Sequence, residues 1–291
     1  MVQLGVESFS SQTLKLMDKG TTAIQNVRVI KWCAELGIHA FYNVIYGFPG
    51  ESAQEYERMA DAVLSLTHLE PPNPPVRLRL DRFSPYHRDP ERFGIEVGEP
   101  YEIRRLTYDL PAGEIANIEY FFTFRYKDAR DPDSYVGSFI RNCLQWRESW
   151  RQNFRSLSWH RTETGIKIHD ARLNTVDATF SLNEAQTSIY LACDAGATPK
   201  GAWNALSSAE QARWSVEDVA EFLERMTRRR LLFCEGGRYV SLAVEGKEEQ
   251  PFQQLNGGRD TKILVLETQP EGDLSSRDCG RTERRPTIVA D

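Results

Sequence analysis

The apolar pattern of the first 85 residues switches period four times, and this alternation constrains the fold more than any other feature of the chain. Val2-Gln-Leu-Gly-Val6 alternates as a strand and ends at the polar pair Glu7-Ser8. Ser11 is placed to cap a helix over 13–19, which Gly20 stops. Residues 22–36 set Ile24, Val27, Ile30 and Ala34 on one helical face, with Gly37 just past the end. A second strand over 38–46, interrupted by Asn43, runs into the breaker-rich turn Gly47-Phe-Pro-Gly-Glu51. A third helix is predicted over 53–69, and Val76-Arg-Leu-Arg-Leu80 alternates as a third strand leading into Asp81-Arg-Phe-Ser-Pro-Tyr86. Strand–helix repetition of this kind implies parallel pairing through right-handed crossovers, as in an α/β barrel or a doubly wound sheet. In both, the site lies at the carboxyl ends of the strands. Here those ends carry Glu7-Ser8, residues 47–51 and residues 81–86.

Beyond residue 115 the pattern changes. An aromatic strand is predicted over 118–126 and a long helix over 134–155, with Phe139, Cys143, Trp146, Trp150 and Phe154 near helical spacing. That stripe reads as core. Short antiparallel strands follow over 157–161, 166–172 and 176–182, with Asp170 and Arg172 reading as a strand salt bridge. Helices over 184–195, 200–206 and 215–230 precede a hairpin that turns at Gly236-Gly237, the element order of a winged helix. The expected division is 1–115, 116–182, 183–244 and a polar, aperiodic tail over 245–291 that reads as disordered.

Composition excludes several function classes. A formal net charge of −6 offers no global basic field for nucleic acid or an anionic membrane. Arg228-Arg-Arg230 ends a helix, where positive charge is stabilising anyway, so DNA recognition is disfavoured. No apolar run approaches the roughly 20 residues of a membrane-spanning helix, and a soluble cytoplasmic protein is expected. Cys33, Cys143, Cys193, Cys234 and Cys279 form no CxxC or CxxxCxxC, and the five histidines show no tight ligand spacing. No metal site is visible.

Three segments taken together resemble the radical S-adenosylmethionine (SAM) superfamily: Gln3-Leu-Gly-Val-Glu-Ser-Phe9, Leu16-Met-Asp-Lys-Gly-Thr-Thr22 and Asn43-Val-Ile-Tyr-Gly-Phe-Pro-Gly-Glu51. This resemblance covers about residues 2–90. Leu80-Asp-Arg-Phe-Ser-Pro85, Ile168-His-Asp-Ala-Arg172 and Gly236-Gly-Arg-Tyr-Val-Ser-Leu-Ala-Val244 are similar to cobalamin-binding radical SAM proteins that methylate carbon in ribosomally synthesised, post-translationally modified peptides. The resemblance implies the C-terminal half of a partial (β/α)6 barrel, strands four to six, followed by an α+β domain with a winged-helix-like end. It implies SAM as cofactor, with a 4Fe-4S cluster and cobalamin only in the full-length family. Those would be carried on a segment or separate N-terminal half preceding Met1, so the chain alone is expected to be inactive. The expected partner is a precursor peptide. By the same resemblance Glu7 and Asn43 meet the SAM ribose, with Ser8 beside Glu7, and Lys19 meets the methionyl carboxylate. Ile45 and Gly47 pack near the adenine. Arg82 and Tyr86 are candidates to reach substrate, as is His87.

The residues leave plainer readings open. Lys19 is also an ordinary helix-end lysine, and a neighbouring backbone group could satisfy Asn43. Two rival functions remain: a non-catalytic peptide- or DNA-binding module built on the winged-helix-like domain, and a Schiff-base lyase using Lys19 or Lys31, against which the three visible parallel strands count.

Overall fold

The structure, a computed structural model, describes residues 1–101, 107–152, 156–172 and 178–246. The tail from 247 onward, together with Phe154, Val176 and Cys279, lies outside the described residues. The first part runs β1 (Val2–Glu7), α1 (Ser11–Leu16), α2 (Ala23–Glu35), β2 (Ala40–Tyr46), α3 (Ala53–Val63) and β3 (Val76–Arg77). Side chains start each helix. Ser10 accepts from the Thr13 N–H, Thr22 and Gln25 form a reciprocal capping box, and Ser52 caps α3. The first cap is therefore Ser10, one residue before Ser11, and α1 ends at Leu16 rather than 19.

The three strands pair in parallel in the order β1-β2-β3. Val6, Ala40, Tyr42 and Val44 enter the main core with Ile24, Val27, Ile30, Tyr56, Met59 and Val63 of α2 and α3. Gln3, Phe41, Asn43, Ile45 and Val76 occupy the opposite face, where Phe41 is 42% and Val76 48% exposed. Among the described residues this sheet stops at three strands and no barrel closes.

The predicted strand 76–80 is split. After β3 the chain leaves the parallel sheet, and β4 (Leu80–Asp81), α4 (Pro85–Arg88), β5 (Ile95–Pro100), α5 (Ala112–Ile118) and β6 (Phe121–Tyr126) follow. Their strands form an antiparallel sheet in the order β4-β6-β5. The physical reason is burial. Leu80 leaves an uncovered sheet face for a small second core with Ile95 and Phe122, where it is fully enclosed. β5, α4 and α5 were not predicted from the sequence; each is seven residues or fewer and begins on, ends on or follows a proline.

α6 (Asp133–Gln152) packs along α3 and buries Val136, Phe139, Cys143 and Trp146, so the inner part of the aromatic stripe is core. The Trp146 indole also donates to the Leu69 carbonyl at 2.9 Å. Next come β7 (Leu157–Thr162), β8 (Gly165–Asp170), β9 (Ala178–Asn183), α7 (Glu184–Ala192), α8 (Pro199–Asn204), α9 (Ser208–Gln211), α10 (Val216–Arg228), β10 (Leu232–Glu235), β11 (Arg238–Ser241) and β12 (Val244–Glu245). The order of helices followed by a β10–β11 hairpin is the one predicted, with α9 an added turn. β12 returns to pair in parallel with β7, giving a sheet ordered β12-β7-β8-β9. Asp170 and Arg172 form the expected pair, a buried bidentate contact at 2.8 and 2.7 Å.

One buried cluster runs from Val6 to Ala243, and polar ties reinforce it. Buried Lys31 of α2 meets Glu35 at 3.2 Å and Asp194 beyond α7, Glu235 of β10 receives both the N–H and the hydroxyl of Ser11, and Arg230 reaches Asp61 at 2.8 Å. Among the described residues no helix is long and apolar enough to cross a membrane.

Candidate functional site

The carboxyl ends of β1 and β2 bring together Glu7, Lys19, Gly47 and Tyr86 of the named residues. Glu7 closes β1 at a register slip, with its backbone in the left-handed region at φ 55°. Asp18, after α1, and Phe83, after β4, take the same region at φ 55° and 67°. For non-glycine residues this conformation costs about 1–3 kcal/mol each and is concentrated at functional sites. Lys19 donates to Glu7 Oε1 at 2.8 Å, so a cation and a carboxylate face each other across the rim.

Tyr86 joins them from the other side. Its hydroxyl donates to the Leu16 carbonyl at 3.2 Å, and its ring contacts Phe48 and Phe93 with centroids 5.8 and 4.5 Å apart. Burial, then the negative charges of Asp18 and Glu7, push its phenol up to about 12. At neutral pH it is a hydrogen-bond donor and not a base.

Asn43 and Ile45 lie on the open face of β2, below this rim. Asn43 Oδ1 accepts from the Asn73 side chain at 2.8 Å, and Asn73 is itself held by the Tyr42 carbonyl at 2.9 Å. The polar position in the strand therefore has a side-chain partner within the protein.

Gly47 is required for two reasons, neither of which needs a ligand. Its φ is +88°, and an added Cβ would stand 2.9 Å from the Tyr126 hydroxyl oxygen, which donates to the Gly47 carbonyl. The turn it opens is organised by Glu51. That buried carboxylate accepts from the Gly47 and Phe48 N–H groups at 2.9 and 2.8 Å, from Tyr56 at 2.9 Å and from Tyr135 at 2.7 Å. The turn motif gave Glu51 a place but not this role, because Tyr126 and Tyr135 arrive from about 80 residues away with no local signal.

Ser8 and Arg82 are spent elsewhere. Ser8 is buried, its hydroxyl donating to Met59 Sδ at 3.4 Å and accepting from the Ser10 N–H at 3.1 Å. Arg82 donates to the Glu119 carbonyl at 2.6 Å and to the Ala116 carbonyl, with its guanidinium 5.0 Å over the Phe122 ring. It secures the end of α5. His87 stacks on the same Phe122 ring, 4.9 Å between centroids.

Chemically, the rim offers a carboxylate acceptor, an ammonium and a neutral phenol above a sheet face bearing Asn43, Ile45 and Phe41. That combination suits a ligand with hydroxyl groups, a carboxylate and a flat apolar part. It does not suit a metal cluster. Among the described residues no group of three or more His, Cys, Asp or Glu could hold a metal ion. Cys33, Cys143 and Cys193 are buried in the core, and burial pushes the thiols of Cys143 and Cys193 up to about 12, leaving them protonated. Lys31 sits in ion pairs at the back of the sheet, away from this rim.

No protein-family profile matches the chain. A stretch of 69 residues, 24% of the chain, is 36% identical to an uncharacterized protein of Methanocaldococcus jannaschii, of which it covers 21%. A stretch of 56 residues, 19% of the chain, is 38% identical to an uncharacterized methyltransferase of Pyrococcus horikoshii, of which it covers 12%. The chain thus matches about a fifth of one relative and about an eighth of the other. The class defined by the fold is mixed α/β, with a distant, partial likeness to a methyltransferase.

Proposed function

We propose that the parallel sheet is a SAM-binding portion of a radical SAM enzyme that methylates carbon in a ribosomal precursor peptide. The observation that carries this reading is the convergence of Glu7, Lys19 and Tyr86 at the carboxyl ends of β1 and β2, with Glu7 in register with Val44, the residue between Asn43 and Ile45. The partial likeness to a methyltransferase is consistent with it. In this reading Glu7 accepts from the ribose hydroxyls, and Lys19 turns from Glu7 to the methionyl carboxylate. Asn43 exchanges Asn73 for the ribose, and Ile45 packs against the adenine. Gly47 keeps the turn narrow, and Tyr86 donates from above. Ser8 and Arg82 support the rim without touching the ligand.

The thiols described above do not fit a 4Fe-4S cluster, and no step through a cluster or cobalamin is assigned to this chain. The cluster-bearing part of such an enzyme would cover the open face of the parallel sheet. The α10 surface carries Glu217, Asp218, Glu221 and Glu224 against Arg225 and Arg228, which disfavours a DNA-binding role for the C-terminal helices.

The test is ligand-observed NMR of SAM against the full chain. Saturation transfer to the ribose protons is expected. Glu7→Gln and Lys19→Ala should each weaken binding about tenfold, and Asn43→Leu should remove a contact worth about 1–3 kcal/mol. Absence of transfer, or variants that bind like the parent, overturns the assignment.

A further inference from the structure

α6 buries one face and, among the described residues, leaves the other without a partner. Gly137, Ile140, Arg141, Leu144, Gln145 and Glu148 line a shallow depression of about 440 Å³ on its outer side, and Leu144 is 46% exposed. A single exposed leucine is unremarkable on any surface. Its setting is not. Gly137 lies one heptad before Leu144 and Ile140 lies between them, the spacing of a seam that admits a second helix, with the glycine permitting close approach.

The flanking charges specify which helix. Arg141 and Glu148 lie on the same side of the seam, one heptad apart. Among the described residues Arg141 donates to the Ser138 hydroxyl at 3.0 Å, and Glu148 accepts from the Gln152 side chain. Neither has an ion-pair partner among the described residues. A twofold axis midway between Leu144 and Gln145 relates two antiparallel copies of α6. Arg141 and Glu148 are equally distant in sequence from that axis, and a twofold perpendicular to the plane of the two helices keeps each flank on its own side. Arg141 of one copy therefore lies level with Glu148 of the other, and the reverse pair repeats it. Leu144 meets its own counterpart at the axis. An isologous contact requires such self-complementarity.

We propose that the outer face of α6 is a homodimer contact, formed by antiparallel pairing with a second copy of this chain through Leu144 and two symmetric Arg141–Glu148 pairs. The proposal is independent of SAM binding.

Sedimentation velocity of the full chain from low micromolar to near-millimolar concentration tests it. A concentration-dependent shift from monomer to dimer is expected. Arg141→Glu and Glu148→Arg should each weaken the dimer at least about tenfold, since either places like charges together twice. The double variant R141E/E148R restores opposite charges and should recover most of the parent affinity. Leu144→Glu should leave a monomer with unchanged circular dichroism. A monomer at every concentration overturns the proposal, as does a dimer indifferent to these substitutions or a charge swap that fails to restore it.

Discussion

His68 shows how one buried side chain sets a pH response. Its Nε2 lies 2.8 Å from the Leu242 carbonyl, which joins the loop after α3 to the end of the chain's core. Nδ1 is buried with no hydrogen-bond partner among the described residues. Burial, and then the positive charge of Arg172, pull the imidazole down to about 3. The folded state therefore stays neutral as pH falls, while the unfolded chain takes up a proton near the ordinary value of 6.5. Stability from this residue is complete above pH 6.5 and is lost progressively between 6.5 and about 3. About 2 kcal/mol should be gone by pH 5. Urea unfolding at pH 7.5 and pH 5 measures it, and His68→Gln should flatten the difference. An equal pH slope in the variant would assign the loss to other groups. Nothing local in the sequence announces this histidine, because its partners lie more than 100 residues away.

At the scale of elements, β2 and its closing turn decide whether the site exists. The strand aligns Asn43 and Ile45, and the turn fixes the height of the rim through Glu51 and three tyrosines. Gly47→Ala should cost about 2–3 kcal/mol, from a left-handed backbone and contact with Tyr126. Tyr126→Phe in that background should recover part of the loss, because the nearest clashing atom is its hydroxyl oxygen. Chemical denaturation decides the matter, and a Gly47→Ala protein as stable as the parent would mean that the turn relaxes freely. The strand, the turn and the helices around them were legible from period and breakers. Tyr86 was legible as a candidate, but its route to the rim was not, because the chain that carries it first crosses to another sheet.

At the scale of the molecule, the N-terminal sheet and the C-terminal helices share one core and are tied through buried Lys31. Removing that ammonium leaves Asp194 and Glu35 without their cation at a junction where burial already pushes the Glu35 carboxyl up. Lys31→Ala should cost about 3 kcal/mol. Both parent and variant should unfold in a single calorimetric transition for residues 1–246, because no apolar boundary separates the two ends. Two resolved transitions would show that the ends fold separately.

The sequence by itself determined the alternation of strand and helix, the parallel order of β1, β2 and β3, the closing hairpin and the Asp170–Arg172 pair. Each follows from period, caps or turn residues acting over a few positions. Only the tertiary structure decided that the third strand breaks at Arg77, that Arg82 faces α5 while Tyr86 reaches the Leu16 carbonyl, and that Ser8 turns inward. Those outcomes depend on which apolar surface is left to be covered once the strands have paired, a quantity that no local window of residues contains.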